Sequence, residues 1–246
     1  MCTLLIAYQA YSDCPLFLAT NRDEFLNRPA GGFRYWPQAN GGFVAPMDKQ
    51  AGGTWLGVNT HGIAAAITNR YGNPPDPARR SRGELVPMAL NEVTVESSVE
   101  RLCSLAPGDY NPFHLLVVST TQGAVVWSDG QTLNHERLQR GFTVITEQSY
   151  GAADGGREVH LRKALAQNPS RETLAQLLRT SAVAGAGARV SIPEMNYGTR
   201  SSTLIKWPVH GLPRIQHTSA PPDTSQYSEF DWSMLEFESA QRLNEA

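Results

Sequence analysis

The stretch CTLLIAYQAYSDCPLFLATNRDEF, residues 2–25, contains two apolar runs joined by a polar segment. The runs TLLIAY (3–8) and PLFLAT (15–20) are short, which is typical of strands. A turn between them would pair the two runs as an antiparallel hairpin. Such a hairpin returns the end of the second run to the start of the first. We therefore expect NRDEF (21–25) to lie beside Cys2.

Similar apolar runs recur along the chain and predict further strands. They are GTWLGVN (53–59), GIAAAIT (62–68), FHLLVVS (113–119), GAVVWS (123–128) and FTVIT (142–146). Several of these runs are apolar on both faces, which indicates strands that are covered on both sides.

Helical periodicity is confined to a few segments. These are 83–93, 95–105, 158–168 and 170–182. The order of strands, helices, strands, helices and strands is not the strict βαβ alternation of a doubly wound fold. We predict an α+β fold, a four-layer αββα sandwich of two mainly antiparallel sheets. We expect residues 1–246 to form a single domain.

Composition excludes several classes of protein. The chain has 246 residues, is 41% hydrophobic and 18% charged, and carries a formal net charge of −2. This balance gives no general attraction to nucleic acid or to anionic lipid. The cluster Arg79, Arg80 and Arg82 is more typical of a solvated loop than of an anion-binding patch.

Cysteine content and hydropathy indicate a location. The cysteines are Cys2, Cys14 and Cys103, which is no disulfide framework and favours a reducing compartment. No apolar stretch approaches the roughly 20 residues of a membrane span, and the start of the chain lacks the basic region of a signal peptide. We expect a cytoplasmic protein without a membrane span.

Cys2 is a candidate nucleophile because it directly follows Met1. If Met1 is removed, the thiol and a free α-amine belong to the same residue. The amine, with an ordinary pKa of about 8, can then take the proton of a thiol whose ordinary pKa is about 8.5. This is the logic of amino-terminal nucleophiles. Position 2 alone does not distinguish this role from that of an incidental cysteine.

Four other residues could complete such a site. In the hairpin, Arg22 would stabilise a thiolate and Asp23 would hold the ammonium group, although an Arg–Asp dipeptide is usually a surface ion pair. Asn69 follows an apolar strand and could donate to an oxyanion, or it could simply form a turn. Arg200 begins a strand and calls for a partner, either Asp23 or a substrate carboxylate.

Several motifs together resemble a known family. They are MCTLLIAY, ATNRDEFLNRP, GGTWLGVNTHGIAAAITNRYG, SRGELV, NPFHLLV and YGTRSST, spread from residue 2 to about residue 205. Their combination is similar to the NRDE family, named for its Asn-Arg-Asp-Glu motif, which includes the transport and Golgi organisation protein 2 homologues. The resemblance implies an N-terminal-nucleophile hydrolase fold. Conjugated bile acid hydrolases and penicillin V acylases share that fold and use an N-terminal cysteine.

The resemblance carries over residue by residue. Cys2 resembles the nucleophile of those acylases, and Arg22 and Asp23 resemble the residues that flank it. Asn69 resembles an asparagine of the oxyanion hole, and Arg200 resembles a late arginine.

One position departs from the acylase pattern. The acylases have a second asparagine on a later strand, where this chain reads FTVITEQSYG with Glu147 near the expected place. An acid there would repel an oxyanion, so either Glu147 is protonated or turned away, or the protein is not an efficient amidase. We assign Asn21, Trp55 and Glu147 to substrate binding, and expect specificity to reside in loops 27–50 and 71–83.

Two functions follow from these residues. The first is an N-terminal cysteine hydrolase or acyltransferase that acts on a linear amide (C–N) bond of a small molecule. The alternative is a non-catalytic binding or trafficking protein for haem or an acyl-lipid, in which Cys2 could be a thiolate ligand. His61 and His114 lack the spacing of metal ligands, so we expect no metal site and no bound cofactor.

Overall fold

The computed structural model describes residues 2–39, 41–72, 74–152, 155–182, 187–233 and 235. Within these residues the chain forms two antiparallel sheets, each of seven strands, and four α-helices. Helices cover the outer face of each sheet, and the inner faces pack together. The predicted four-layer αββα sandwich is confirmed.

The strands and helices are numbered in chain order. The strands are β1 (Cys2–Tyr8), β2 (Leu16–Phe25), β3 (Ala30–Trp36), β4 (Phe43–Asp48), β5 (Leu56–Asn59), β6 (Ala64–Asn69), β7 (Phe113–Val118), β8 (Gly123–Ser128), β9 (Leu133–Arg137), β10 (Gly141–Ile145), β11 (Ser191–Ile192), β12 (Tyr197–Trp207), β13 (Arg214–Thr218) and β14 (Ser228–Glu229). The helices are α1 (Leu85–Leu90), α2 (Val95–Cys103), α3 (Gly156–Gln167) and α4 (Arg171–Arg179).

The two sheets are connected differently. The second sheet has the order β3-β4-β5-β6-β7-β8-β9, so each strand pairs with the next one in the chain. The first sheet has the order β10-β1-β2-β12-β13-β14, with β11 paired to β12. Strands from distant parts of the chain therefore meet at β1 and β2, in the interior of the first sheet.

Side chains of β1 alternate between two cores. Leu4 and Ile6 pack between the sheets, whereas Leu5 and Ala7 pack against the layer of α3 and α4. This alternation is the period of two that every strand imposes on its side chains. It explains why the run TLLIAY is apolar on both faces.

Helix α4 begins where the sequence indicates. The Ser170 side chain accepts a hydrogen bond from the Thr173 backbone N–H, which is the N-cap geometry. The residues of α4 that face the first sheet are Leu174, Leu177 and Leu178. No helix in the described ranges has the length and apolar character needed to cross a membrane.

Several strands were not expected from the sequence. The predicted loop 27–50 contains β3 and β4, and β9 follows β8 as an edge strand. Glycines at 31–32 and Pro46 argue against strands when residues are considered locally. Conversely, the stretch 227–237, which alternates like an edge strand, contains only the two-residue β14 within its described part.

The sandwich predicts which leucines carry stability. Leu116 of β7 is 0% exposed and lies in the core between the sheets. Because Leu→Ala in a core leaves a cavity, we expect Leu116→Ala to lower the free energy of unfolding by about 3 kcal/mol in urea titrations. Leu212→Ala, at a residue that is 62% exposed, should change it by less than about 0.5 kcal/mol. Equal losses in the two variants would contradict the assigned core.

Candidate active site

The first hairpin brings Cys2 and the NRDE segment together. Strands β1 and β2 pair in antiparallel register, with Cys2 opposite Arg22 and Thr3 opposite Asn21. Directly opposed residues project to the same face of a sheet. The side chains of Cys2 and Arg22 therefore both point toward the second sheet. The hairpin return predicted from the sequence is present.

Cys2 and Arg22 lie on the wall of a cavity of about 560 Å³. The cavity opens where strands of both sheets end. Its walls come from the ends of β1, β2, β4 and β6, the turn after β4 and the loop 75–83. A cavity of this volume is suited to a small molecule.

Arg22 is held firmly in this wall. Its side chain is 5% exposed, and its Nη2 donates to Oδ2 of Asp48 at 3.2 Å. The Arg22 guanidinium also lies 4.3 Å from the centroid of the Trp55 ring, a cation–π contact. Arg28 Nε donates to the same Asp48 oxygen at 2.8 Å. Asp48, which no sequence motif singles out, thus anchors two arginines.

Asp23 is buried with one oxygen still available. It is 3% exposed, and its Oδ1 accepts a hydrogen bond from Thr199 Oγ1 at 2.6 Å. Its Oδ2 is buried and has no hydrogen-bond partner among the described residues. Burial raises the Asp23 pKa to about 6, opposed by the positive charge of the amino terminus and by the Thr199 hydrogen bond. The free oxygen suits a donor at the amino-terminal end of β1.

The Cys2 thiol is not activated by its surroundings alone. Burial raises its pKa above the ordinary value, and the nearby Asp23 charge adds to this effect. The positive charge of the amino terminus, a hydrogen bond with the Asp23 backbone and Arg22 each lower the Cys2 pKa, but burial is the largest cause. The thiol is therefore protonated near neutral pH, and a nucleophilic role requires a local base.

Asn69 and Trp55 also line the cavity. Asn69 is the last residue of β6, opposite Phe113 in β7, and its side chain is exposed to the cavity opening. The end of a strand from the second sheet thus faces Cys2 on the first. Among the predicted catalytic residues, the structure brings Cys2, Arg22, Asp23 and Asn69 to one cavity.

Asn21 lies elsewhere, which corrects its assignment to substrate binding. Its Nδ2 donates to the backbone oxygens of Leu178 at 2.9 Å and Ala188 at 3.3 Å. Residues 21 and 22 of a strand project to opposite faces, so Asn21 points toward the helical layer while Arg22 points into the cavity. Asn21 ties β2 to the end of α4.

Arg200 also lies outside the cavity lining. It sits at an irregularity of β12, because Thr199 pairs with Asp23 and Ser201 pairs with Arg22. The Arg200 guanidinium donates to the backbone oxygen of Ser219, while the described partner of Asp23 is Thr199. Of the two partners considered for Arg200, Asp23 is not the one that it binds, because the bulge directs the arginine away.

Glu147 forms an ion pair instead of lining the cavity. Its carboxylate contacts the Arg157 guanidinium, and both side chains are 11% exposed. Of the alternatives considered for this acid, the geometry favours a carboxylate that is turned away and neutralised. Arg157 lies in the first turn of α3, just before the predicted start of that helix at 158.

The loop with Arg79, Arg80 and Arg82 lines the cavity. It belongs to the predicted specificity loop 71–83, although the arginine cluster by itself is more typical of a solvated loop. The loop is fixed by a backbone contact, since the Thr54 N–H donates to the Gly83 oxygen at 3.1 Å. A Cβ atom on Gly53 would lie 2.5 Å from that same oxygen. Gly53 and Gly83, which look like ordinary turn residues, therefore allow their two backbone segments to come into contact.

His114 is a buried core residue. Its Nδ1 lies 3.2 Å from Thr68 Oγ1, its Nε2 lies 3.0 Å from the Ser149 oxygen, and burial lowers its pKa to about 4. Within the ranges that the structure describes, there is no group of three or more His, Cys, Asp and Glu side chains that could hold a metal ion.

Comparison with known proteins assigns a family. A model of the family Transport and Golgi organisation 2 matches residues 1–211. The chain belongs to this family. The Transport and Golgi organization 2 homolog of Mus musculus is 34% identical over 153 residues, which cover 60% of this chain and 53% of that protein. The homolog of Homo sapiens is 33% identical over 153 residues, which again cover 60% of this chain and 53% of that protein. The chain spans about half the length of the curated relatives it matches.

Solved structures related to this Transport and Golgi organisation 2 family member show the same fold. The N-acylethanolamine-hydrolyzing acid amidase ortholog of Caenorhabditis elegans has a TM-score of 0.57 at 16% identity, covering 93% of this chain and 100% of that one. Penicillin V acylase from Agrobacterium tumefaciens has a TM-score of 0.58 at 16% identity, with coverage of 95% and 86%. A variant of the conjugated bile acid hydrolase from Clostridium perfringens has a TM-score of 0.61 at 12% identity, with coverage of 94% and 93%. The fold is therefore that of the N-terminal-nucleophile hydrolases.

The burial of Asp23 predicts a pH dependence of stability. The Asp23 pKa is about 6 in the folded chain against an ordinary 3.8. As pH rises, the Asp23 carboxyl group therefore loses its proton at a lower pH in the unfolded state than in the folded state. The contribution of this group to stability is complete below about pH 4 and is lost as pH rises through about 6. Asp23→Asn should flatten this dependence and raise the free energy of unfolding at pH 7.5 by roughly 2–3 kcal/mol.

The measurement is urea unfolding at intervals between pH 4 and 7.5. Asp109→Asn, on a half-exposed residue outside the cavity, serves as the matched control and should leave the pH dependence unchanged. An Asp23→Asn variant that keeps the wild-type slope through this window would show that Asp23 is not the titrating group.

Proposed function

We propose that this chain is an N-terminal cysteine hydrolase or acyltransferase that acts on a linear amide bond of a small molecule. The observation that carries the proposal is the arrangement of Cys2 with Arg22 and Asp23. The thiol lies opposite Arg22 on a cavity wall, and the buried Asp23 keeps an oxygen without a partner in the described chain. The acyl-transferring enzymes among the fold neighbours add support.

The reaction begins with removal of Met1, which frees the α-amine of Cys2. The neutral amine accepts the thiol proton, and the sulfur attacks the carbonyl carbon of the substrate to form a C–S bond. The resulting ammonium group then donates a proton to the leaving nitrogen as the C–N bond breaks. Water, or an acceptor amine or alcohol, finally attacks the thioester and releases the acyl group from Cys2.

Each neighbouring residue has a role in this scheme. Asp23 Oδ2 accepts a hydrogen bond from the ammonium group and favours the charged form. Arg22 stabilises the thiolate, and its position depends on Asp48 and Trp55. Asn69 donates its side-chain amide to the oxyanion, together with a backbone N–H. Since Glu147 is paired with Arg157 and lies off the cavity wall, it does not oppose the oxyanion.

The alternative, a carrier of haem or an acyl-lipid, has less support. Such ligands call for extended apolar walls. Five arginines line the cavity. Among the described lining residues, the large apolar side chains are Trp55 and Ile67, and two prolines also line it. An acid facing the oxyanion would favour a carrier over an amidase, but Glu147 is neutralised by Arg157.

The location is also a proposal. The cysteines at positions 2, 14 and 103 are all free, which agrees with a reducing compartment such as the cytoplasm.

The proposal predicts a covalent acyl intermediate on Cys2. The purified protein should have the intact mass of the chain without Met1. Incubation with a panel of linear N-acyl arylamides that release a coloured amine should add the acyl mass to the peptide that begins at Cys2. Cys2→Ala should abolish both the adduct and the release of amine, a loss of at least about a thousandfold for a removed nucleophile.

Cys103→Ala is the matched control, because Cys103 is a free, partly exposed thiol outside the cavity. This variant should release amine at the wild-type rate. Retention of Met1 on the active protein, or an acyl adduct that persists in Cys2→Ala, would overturn the mechanism.

A further inference from the structure

The arginines on the cavity wall are not equivalent. Four of them have a carboxylate partner, and the shortest N–O distances are 3.2 Å for Arg22–Asp48, 2.8 Å for Arg28–Asp48, 3.8 Å for Arg79–Asp76 and 2.6 Å for Arg80–Glu84. Arg82 lines the same cavity and forms no ion pair with any described residue. It is the one arginine on this wall without a described carboxylate within ion-pair distance.

Arg82 is nevertheless well fixed. Its Nη1 donates to the backbone oxygen of Pro112 at 2.9 Å. The adjoining Ser81 side chain accepts a hydrogen bond from the Gly83 N–H, and the backbones of Gly53 and Gly83 are in contact. These two contacts hold the segment that carries Arg82 in place. The guanidinium therefore has one edge bound to protein and its remaining N–H groups available to the cavity.

The surroundings of Arg82 connect it to the nucleophile. Burial lowers the pKa of Arg82, and Arg28 lowers it further, while the negative charge of Glu24 and, when it is ionised, of Cys2 raises it. Arg82 and Cys2 line the same cavity, so an anion bound by the guanidinium would occupy the cavity that Cys2 also faces. A partly buried charge without a partner is unfavourable, and an anion that enters the cavity would relieve that cost.

We propose that Arg82 is a specificity-determining residue that binds a carboxylate group of the molecule held in front of Cys2. The planar guanidinium presents parallel N–H groups that match a carboxylate, which makes arginine more selective for this group than lysine. For the choice of substrate the inference rests on the proposed function, and it narrows the substrate class to linear amides that carry a carboxylate. The anion site itself does not depend on turnover.

Alkylation of Cys2 tests the anion site without catalysis. Iodoacetate and iodoacetamide both react by attack of the sulfur on the CH₂ carbon, which forms a C–S bond and expels iodide. The two reagents differ in charge. The ratio of their rate constants at Cys2, followed by peptide mass spectrometry, is independent of the thiolate fraction because both reagents use the same thiolate.

We expect the iodoacetate-to-iodoacetamide ratio at Cys2 to exceed the ratio for free cysteine by about tenfold, as for one favourable charged contact. Arg82→Gln should return the ratio to that of free cysteine, and Arg82→Lys should restore part of it. Arg80→Gln is the matched control, since Arg80 is 53% exposed and already paired with Glu84. A ratio that is unchanged in Arg82→Gln, or equally reduced in Arg80→Gln, would overturn the proposal.

A competition experiment on the wild-type protein needs no variant. Hexanoate should slow alkylation of Cys2 by the neutral iodoacetamide, whereas hexanamide at the same concentration should not. Protection by inorganic phosphate without protection by hexanoate would contradict the carboxylate assignment, as would equal protection by hexanoate and hexanamide. If hexanoate protects Cys2 but the chain retains Met1 and hydrolyses no amide, the anion site stands and the proposed function fails.

Discussion

The register of one hairpin governs the geometry of the site. Cys2 lies opposite Arg22 because β1 and β2 pair without a shift from Tyr8 to Cys2. A slip of one residue would turn Arg22 toward the helical layer and bring Asn21 into the cavity, since successive side chains alternate between faces. The apolar alternation of β1 between two cores prevents that slip, because it would bury the wrong residues on both faces. Packing of the core therefore sets the position of the polar residues at the strand ends.

The polar wall depends on charge compensation. Asp48 Oδ2 accepts hydrogen bonds from both Arg22 and Arg28. Its Oδ1 accepts hydrogen bonds from the backbone N–H groups of Gln50 and Ala51. A carboxylate with this many donors holds the two guanidinium groups at fixed positions. The same principle explains Glu147, which Arg157 neutralises away from the cavity. Positive charge on the wall is thus largely balanced, and the imbalance is concentrated at Arg82.

The fold and part of the site follow from local sequence. The doubly apolar runs predicted β1, β2, β7 and β8 because a covered sheet requires such runs, and the hairpin return predicted that Cys2 and Arg22 would meet. Strands β3 and β9 lie at sheet edges, where exposed faces weaken the hydrophobic signal. The loops 27–50 and 71–83 were expected to shape the site, but the individual roles of Asp48 and the arginines were missed for a different reason. Their proximity to Cys2 arises from contacts between segments far apart in the chain, which no local pattern encodes.

The position of β1 has a practical consequence. This strand runs between β2 and β10, so its first residue belongs to the interior of a sheet, and that residue also forms part of the cavity wall. Any peptide attached ahead of Cys2 begins at this wall and competes with small molecules for the space. An affinity tag for purification therefore belongs at the other end of the chain.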